Sequence, residues 1–270
     1  MNWRAVAKND IRRATSQRAI WSLLGGFVLG FGGLAALLLY VGEPNFEGYV
    51  VLVKAGAGLL VPLAGIVLGY GAVIGARESG TAVLSLSLPL SRADILFGKL
   101  VSRTVLLVTA VVVAAVGTAL GMLVTYPSFD SLQYAGLVAG VAGYGAVFLW
   151  LSVGLSMALS TARRVIAAAF GAYVGLTLFW NVLVTLTVQI LFRFQPPQQP
   201  ESWATFSTFI GPFTAYNYVL GEVAGIGGVP PVAATSSAGF ISPAVAVLGL
   251  AGWAVLPVAA GYVSFRRIDL

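Results

Sequence analysis

Six long apolar stretches, separated by short polar breaks, leave this chain few ways to fold. They cover residues 20–41, 55–76, 104–125, 134–159, 165–192 and 244–263, and none carries Asp, Glu, Lys or Arg near its middle. A helix needs roughly 20 apolar residues to cross the hydrocarbon of a bilayer, and each stretch meets that length. Composition agrees, with 59% hydrophobic and only 9% charged residues, where a soluble domain carries roughly 25% charged residues. The expected fold is an all-α membrane protein with six transmembrane helices.

The polar breaks set the topology. Residues 2–18 read as an amphipathic helix, because Trp3, Val6, Ala7, Ile11 and Ala14 recur at helical spacing while Arg4, Lys8, Arg12 and Arg13 fall largely on other faces. Such a helix suits a membrane interface; a solvated basic lead-in is the alternative for the same residues. No cleavable signal peptide is expected, since the first residues are polar and basic and the next run is long enough to span. The cations cluster on alternate breaks: Arg4, Lys8, Arg12, Arg13 and Arg18, then Arg77, Arg92, Lys99 and Arg103, then Arg163 and Arg164, then Arg266 and Arg267. The other side holds Lys54, read as a snorkelling residue that opens the second span, and Arg193, beside Glu43, Glu47, Asp130, Glu201 and Glu222. The positive-inside rule then places both termini in the cytoplasm. The net charge of +6 is explained by this flanking pattern, so nucleic acid is not an expected partner, whereas membrane lipid is. Small-xxx-small spacings at Gly26…Gly30 and Gly136…Gly140 are candidate helix contacts.

Several chemistries are excluded or disfavoured. The chain has no Cys and no His, which removes disulfides, thiolate or imidazole metal sites and imidazole acid–base catalysis. No GxxxxGK[ST] loop surrounds Lys8, Lys54 or Lys99, so ATP is not held here in the phosphate-loop manner. An ion-coupled carrier usually keeps an ionisable group at mid-membrane depth, and the expected spans have none. A sodium site built from carbonyls and hydroxyls stays open.

Two breaks are long enough to do more than connect spans. Residues 77–103 follow the second span. A short helix after Glu78, stopped by Pro89, would present a compact element, with Glu78 and Thr81 three apart on one face. Ser91 and Asp94 have capping-box spacing for a next helix, which would carry Ile95, Leu96, Phe97 and Leu100 into the third span. On spacing alone the favoured reading is the plainer one, with Arg92, Lys99 and Arg103 as positive-inside anchors and Pro89 as a helix stop. Residues 193–243 form the second long break, with a turn-rich 195–200 followed by the aromatic segment 203–228, interrupted at Gly211-Pro212. That segment fits two short interfacial or re-entrant helices better than a further span.

Glu78-Ser-Gly80-Thr81, then Pro89-Leu-Ser91-Arg92, then Gly98-Lys99 resembles the signature region of ABC exporter permeases, the class of drug, polysaccharide and multicopper-enzyme-maturation permeases. Members carry an E-x-G-T element and a "lPvSR…GK" element between the second and third of six spans. Gly211-Pro212-Phe213-Thr-Ala-Tyr216 resembles their "nP…a" element, with Gly211 where Asn is common. The resemblance implies 1–19 as a cytoplasmic interfacial helix and 20–270 as a permease domain, with a coupling loop at 77–103 and an extracytoplasmic segment at 193–243. It implies a coupling helix near 78–88 that docks on a separate cytoplasmic ABC ATPase subunit, through Glu78, Gly80, Thr81, Pro89, Ser91 and Arg92. In that arrangement Glu78 ends the second span, Gly80 allows close backbone approach, and Arg92 meets the partner or lipid phosphates. Gly211, Pro212, Phe213 and Tyr216 would belong to a re-entrant outer gate. ATP and Mg would sit on the partner, no cofactor on this chain, and two permease chains would pair as a homodimer in the plasma membrane. Two other readings share parts of this sequence: an assembly or maturation factor for an extracytoplasmic metalloenzyme, and a gradient-driven carrier.

Overall fold

The computed structural model describes residues 3–15, 18–42, 44–72, 74, 91–195, 201–234 and 238–266. Among them every regular element is helical. Ten helices follow in chain order: α1 Trp3–Thr15, α2 Ile20–Val41, α3 Phe46–Gly69, α4 Arg92–Thr125, α5 Ser131–Ala158, α6 Ala162–Leu191, α7 Ser202–Ile210, α8 Pro212–Glu222, α9 Pro231–Ala234 and α10 Pro243–Arg266. α2, α3, α4, α5, α6 and α10 are long and apolar enough to cross a membrane, as the hydropathy pattern predicts.

Local chemistry sets the helix ends. Asn45 caps α3 by accepting from the backbone N–H groups of Glu47 and Gly48, and Asp130 caps α5 by accepting from those of Leu132 and Gln133. Thr161 caps α6, which moves Arg163 and Arg164 out of the expected loop and into the first turn of the helix. At the N-terminus of α4 the Ser91–Asp94 capping box is formed in both directions. That box extends α4 twelve residues before the expected start of the third span, giving a helix of 34 residues. At 1.5 Å per residue it is about 51 Å long, against roughly 30 Å of hydrocarbon. The expected apolar stretch is the part that spans, and the N-terminal third projects beyond it.

The second span also differs from expectation. It begins at Phe46 rather than Ala55, because Asn45 supplies the cap and Phe46, Tyr49, Val50 and Val53 bury a continuous face. Lys54 therefore does not open the helix. It lies about one turn from the midpoint of α3 and is buried. This removes the snorkelling reading and places a charge inside a span where none was expected.

α5 is the hub of the bundle, packed chiefly on α3 and α10 and also on α4, α6 and α8. Between lipid-bathed helices there is no hydrophobic drive to associate, so contact depends on close packing. A Cβ on Gly65 would stand 2.4 Å from the Gly145 carbonyl, and one on Gly69 would stand 2.6 Å from that of Leu149. On the other side of α5, a Cβ on Gly154 would stand 2.4 Å from the Pro257 carbonyl. Backbone meets backbone at both seams. Of the two spacings singled out in the sequence, Gly136 and Gly140 do face close neighbours, Ala224 and Leu220, whereas Gly26 and Gly30 have open space. α6 is the least covered span. It passes through a π-helical stretch at Val174–Phe179, and α2 does the same at Leu29–Gly33.

Candidate functional site

At one end of the bundle α1 lies across the projecting part of α4. Gly98 makes the crossing possible, since a Cβ there would stand 2.7 Å from the Val6 side chain and 3.0 Å from the Trp3 carbonyl. One turn further along, Asp10 of α1 is buried at 6% exposure among three groups of α4. Lys99 Nζ donates to Asp10 Oδ1, and Ser102 Oγ donates to Oδ2 at 2.7 Å. Arg103 Nη2 donates to Oδ1 at 3.4 Å. Arg103 Nε stands 3.0 Å from Oδ2 but off the line of a hydrogen bond. Burial alone would raise the Asp10 carboxyl pKa. The charges of Lys99 and Arg103, with the hydrogen bonds from Lys99 and Ser102, outweigh it and hold the pKa below the ordinary 3.8. Asp10 therefore stays ionised and clasps the N-terminal helix to the base of α4.

Of the coupling residues expected from the sequence, Glu78, Gly80, Thr81 and Pro89 lie outside the described residues. Ser91 is the N-cap of α4, with Oγ donating to Asp94 Oδ2 at 2.7 Å and accepting from the Asp94 backbone at 3.0 Å. Arg92 opens the helix, and its side chain lies outside the description. Sequence reasoning missed Asp10, although a lone acid on the buried edge of a basic helix was the available signal. It also read Lys99 as a positive-inside anchor and gave Gly98 no packing role, whereas here Lys99 pairs with Asp10 and Gly98 makes room for α1.

At the opposite end, Gly211, Pro212, Phe213 and Tyr216 come together where α7 breaks into α8. Gly211 is extended (φ −55°, ψ 134°), as a residue before proline must be, and Pro212 occupies the first turn of α8, where its missing N–H costs nothing. The break frees carbonyls at the end of α7. Trp180 Nε1 of α6 donates to the Ser207 carbonyl at 2.8 Å, and Trp253 Nε1 of α10 donates to that of Ile210 at 3.0 Å. The two indoles meet edge-to-face at 5.3 Å. Glycine is needed at 211 because a Cβ would stand 2.3 Å from the Trp180 ring. Phe213 and Tyr216 pack over Gly58 of α3. Tyr216 is fully buried, stacks on Tyr144 at 4.4 Å, and donates to the Lys54 carbonyl at 3.1 Å. α7 and α8, at 9 and 11 residues, are too short to cross.

A bundle of six helices long and apolar enough to span, with a helix clasped across one end and a broken helix pair packed into the other, defines a multi-pass membrane protein. The model of the ABC-2 family transporter proteins matches residues 4–270, and the chain belongs to that family. It is similar to two proteins, each named probable ABC transporter permease protein NosY. The one from Pseudomonas aeruginosa is 26% identical over 251 residues, covering 92% of this chain and 90% of that protein. The one from Stutzerimonas stutzeri is 28% identical over 272 residues, covering 97% of each. The chain is thus the membrane-spanning permease subunit of an ABC system, a class that implies a partner ATPase subunit.

Proposed function

We propose that this permease is the membrane half of an ATP-driven exporter in the plasma membrane, with both termini in the cytoplasm and two copies of the chain in each transporter. The segment 77–91 receives the movement of the partner ATPase, and α4 carries it across the membrane. The observation that supports this most directly is the build of α4. It is a single 34-residue helix capped immediately after Pro89-Leu90 and tied at its base to α1. α4 runs unbroken from Arg92 to Thr125 with no proline inside it, so in this reading a displacement at Ser91 is carried along the helix and drags α1 with it. α7 and α8, wedged beside Trp180 and Trp253, form the outer gate in this reading. The uncovered surface of α6 is the face available to a second copy.

Charge reversal at Glu78 or Arg92 tests the reading. Glu78→Lys and Arg92→Glu should each lower substrate-dependent ATP hydrolysis several-fold while leaving the amount of permease in the membrane unchanged. Full activity in both variants would remove 77–91 from the coupling path.

A further inference from the structure

Lys54 is 5% exposed, and its ammonium donates to two backbone carbonyls, Ile226 at 2.6 Å and Gly228 at 3.3 Å. Those carbonyls are turned toward it by a loop with Gly225, Gly227 and Gly228 at φ of +66°, +64° and +67°, the left-handed region that favours glycine. Among the described residues no carboxylate lies within ion-pair distance, the two recorded ion pairs both being made by Asp10. A buried cation balanced only by neutral dipoles carries a large desolvation cost. A third N–H of the ammonium is not taken up by these bonds. If anchoring the loop were the whole task, a neutral amide would serve it without that cost.

Lys54 borders a cavity of about 370 Å³ between α3, α6, α8 and the loop. Asn181, Thr214 and Asn217 line the same cavity, and Val51, Phe213 and Pro230 supply apolar wall. Asn181 and Thr214 contact each other only at 3.4 Å, which leaves the amide and the hydroxyl poorly satisfied. An ammonium, an amide and a hydroxyl lining one cavity beside apolar wall match an oxyanion attached to a greasy body. We propose that this cavity binds the phosphate head of an anionic amphiphile, with Lys54 as the charge partner and Asn181 and Thr214 as hydrogen-bonding groups. The site stands whether the transporter exports or imports, since it needs only binding.

The test is native mass spectrometry of the full chain in mild detergent, titrated with phosphatidylglycerol, with phosphatidylcholine as the zwitterionic control. Wild type should retain phosphatidylglycerol preferentially, and Lys54→Gln should weaken that binding at least about tenfold, as expected for loss of a charge-assisted contact. Because Lys54→Gln also loosens the loop, Asn181→Leu provides a second arm that leaves the loop anchor intact, with a several-fold loss expected. Competition with glycerol 3-phosphate and inorganic phosphate distinguishes the source. Displacement at millimolar concentration assigns the site to a free phosphate, and no displacement assigns it to a lipid-borne head. Equal retention of both lipids by wild type would overturn the proposal. So would unchanged phosphatidylglycerol binding in both variants, leaving Lys54 a loop anchor alone.

Discussion

Asp10 shows how much one side chain can organise in a chain this poor in charge. Replacing it with Asn keeps the shape but leaves Lys99 and Arg103 facing each other without a counter-charge, in a site where they are 19% and 13% exposed. Breaking a fully buried pair costs about 3–5 kcal/mol; partial exposure here places Asp10→Asn at about 2 kcal/mol or less. A single cysteine introduced on α1 in this cysteine-free chain should then react faster with a water-soluble maleimide. The same group fixes a pH dependence. A carboxyl whose folded pKa lies below its ordinary value contributes stability that is complete above that value and is lost as pH falls through the folded pKa. The clasp should therefore hold unchanged from neutral pH down to 3.8 and open only below it, read out by the same labelling rate. Opening near pH 6 would show that another group controls it.

The helices carry two further tests. Ser91 is the N-cap of α4, and Ser91→Ala should cost about 1 kcal/mol, seen as a lower melting temperature with the helix start frayed. The seam between α3 and α5 is less forgiving. Gly65→Ala puts a methyl 2.4 Å from the Gly145 carbonyl and 2.8 Å from the Leu149 nitrogen, both backbone atoms that cannot swing aside. Overpacking of this kind costs about 1–3 kcal/mol, whereas Gly30→Ala, with open space around it, should be neutral. Equal melting temperatures for the two variants would contradict the seam. The spans were legible because each holds a long run without charge, although the second begins before its run and takes in Lys54. Their interfaces were not, because Gly26-xxx-Gly30 and Gly65-xxx-Gly69 look alike in sequence and only packing separates them.

For the whole molecule, the family implies a partner ATPase subunit beside this chain. A tagged permease purified gently from native membranes should bring down an ATP-hydrolysing subunit, with two permease chains per particle counted by single-molecule bleaching steps. Arg92→Glu should lose the ATPase and keep the pair. A particle with one permease chain would overturn the homodimer, and absence of any ATPase after cross-linking would separate this chain from the working mode of its family.

The sequence by itself determined the number of spans through its apolar runs, the α4 start through Ser91 and Asp94, and the α7–α8 break through Gly211-Pro212. These are local properties: transfer of a run into lipid, a side chain reaching a backbone three residues on, a proline without its N–H. Tertiary structure alone decided that Asp10 meets Lys99 and Arg103, some ninety residues along the chain, and that Lys54 turns inward to the loop at 226–228. A charge at the edge of an apolar run reads the same whether it snorkels to water or is buried against a partner. Which occurs depends on what a distant segment brings to it.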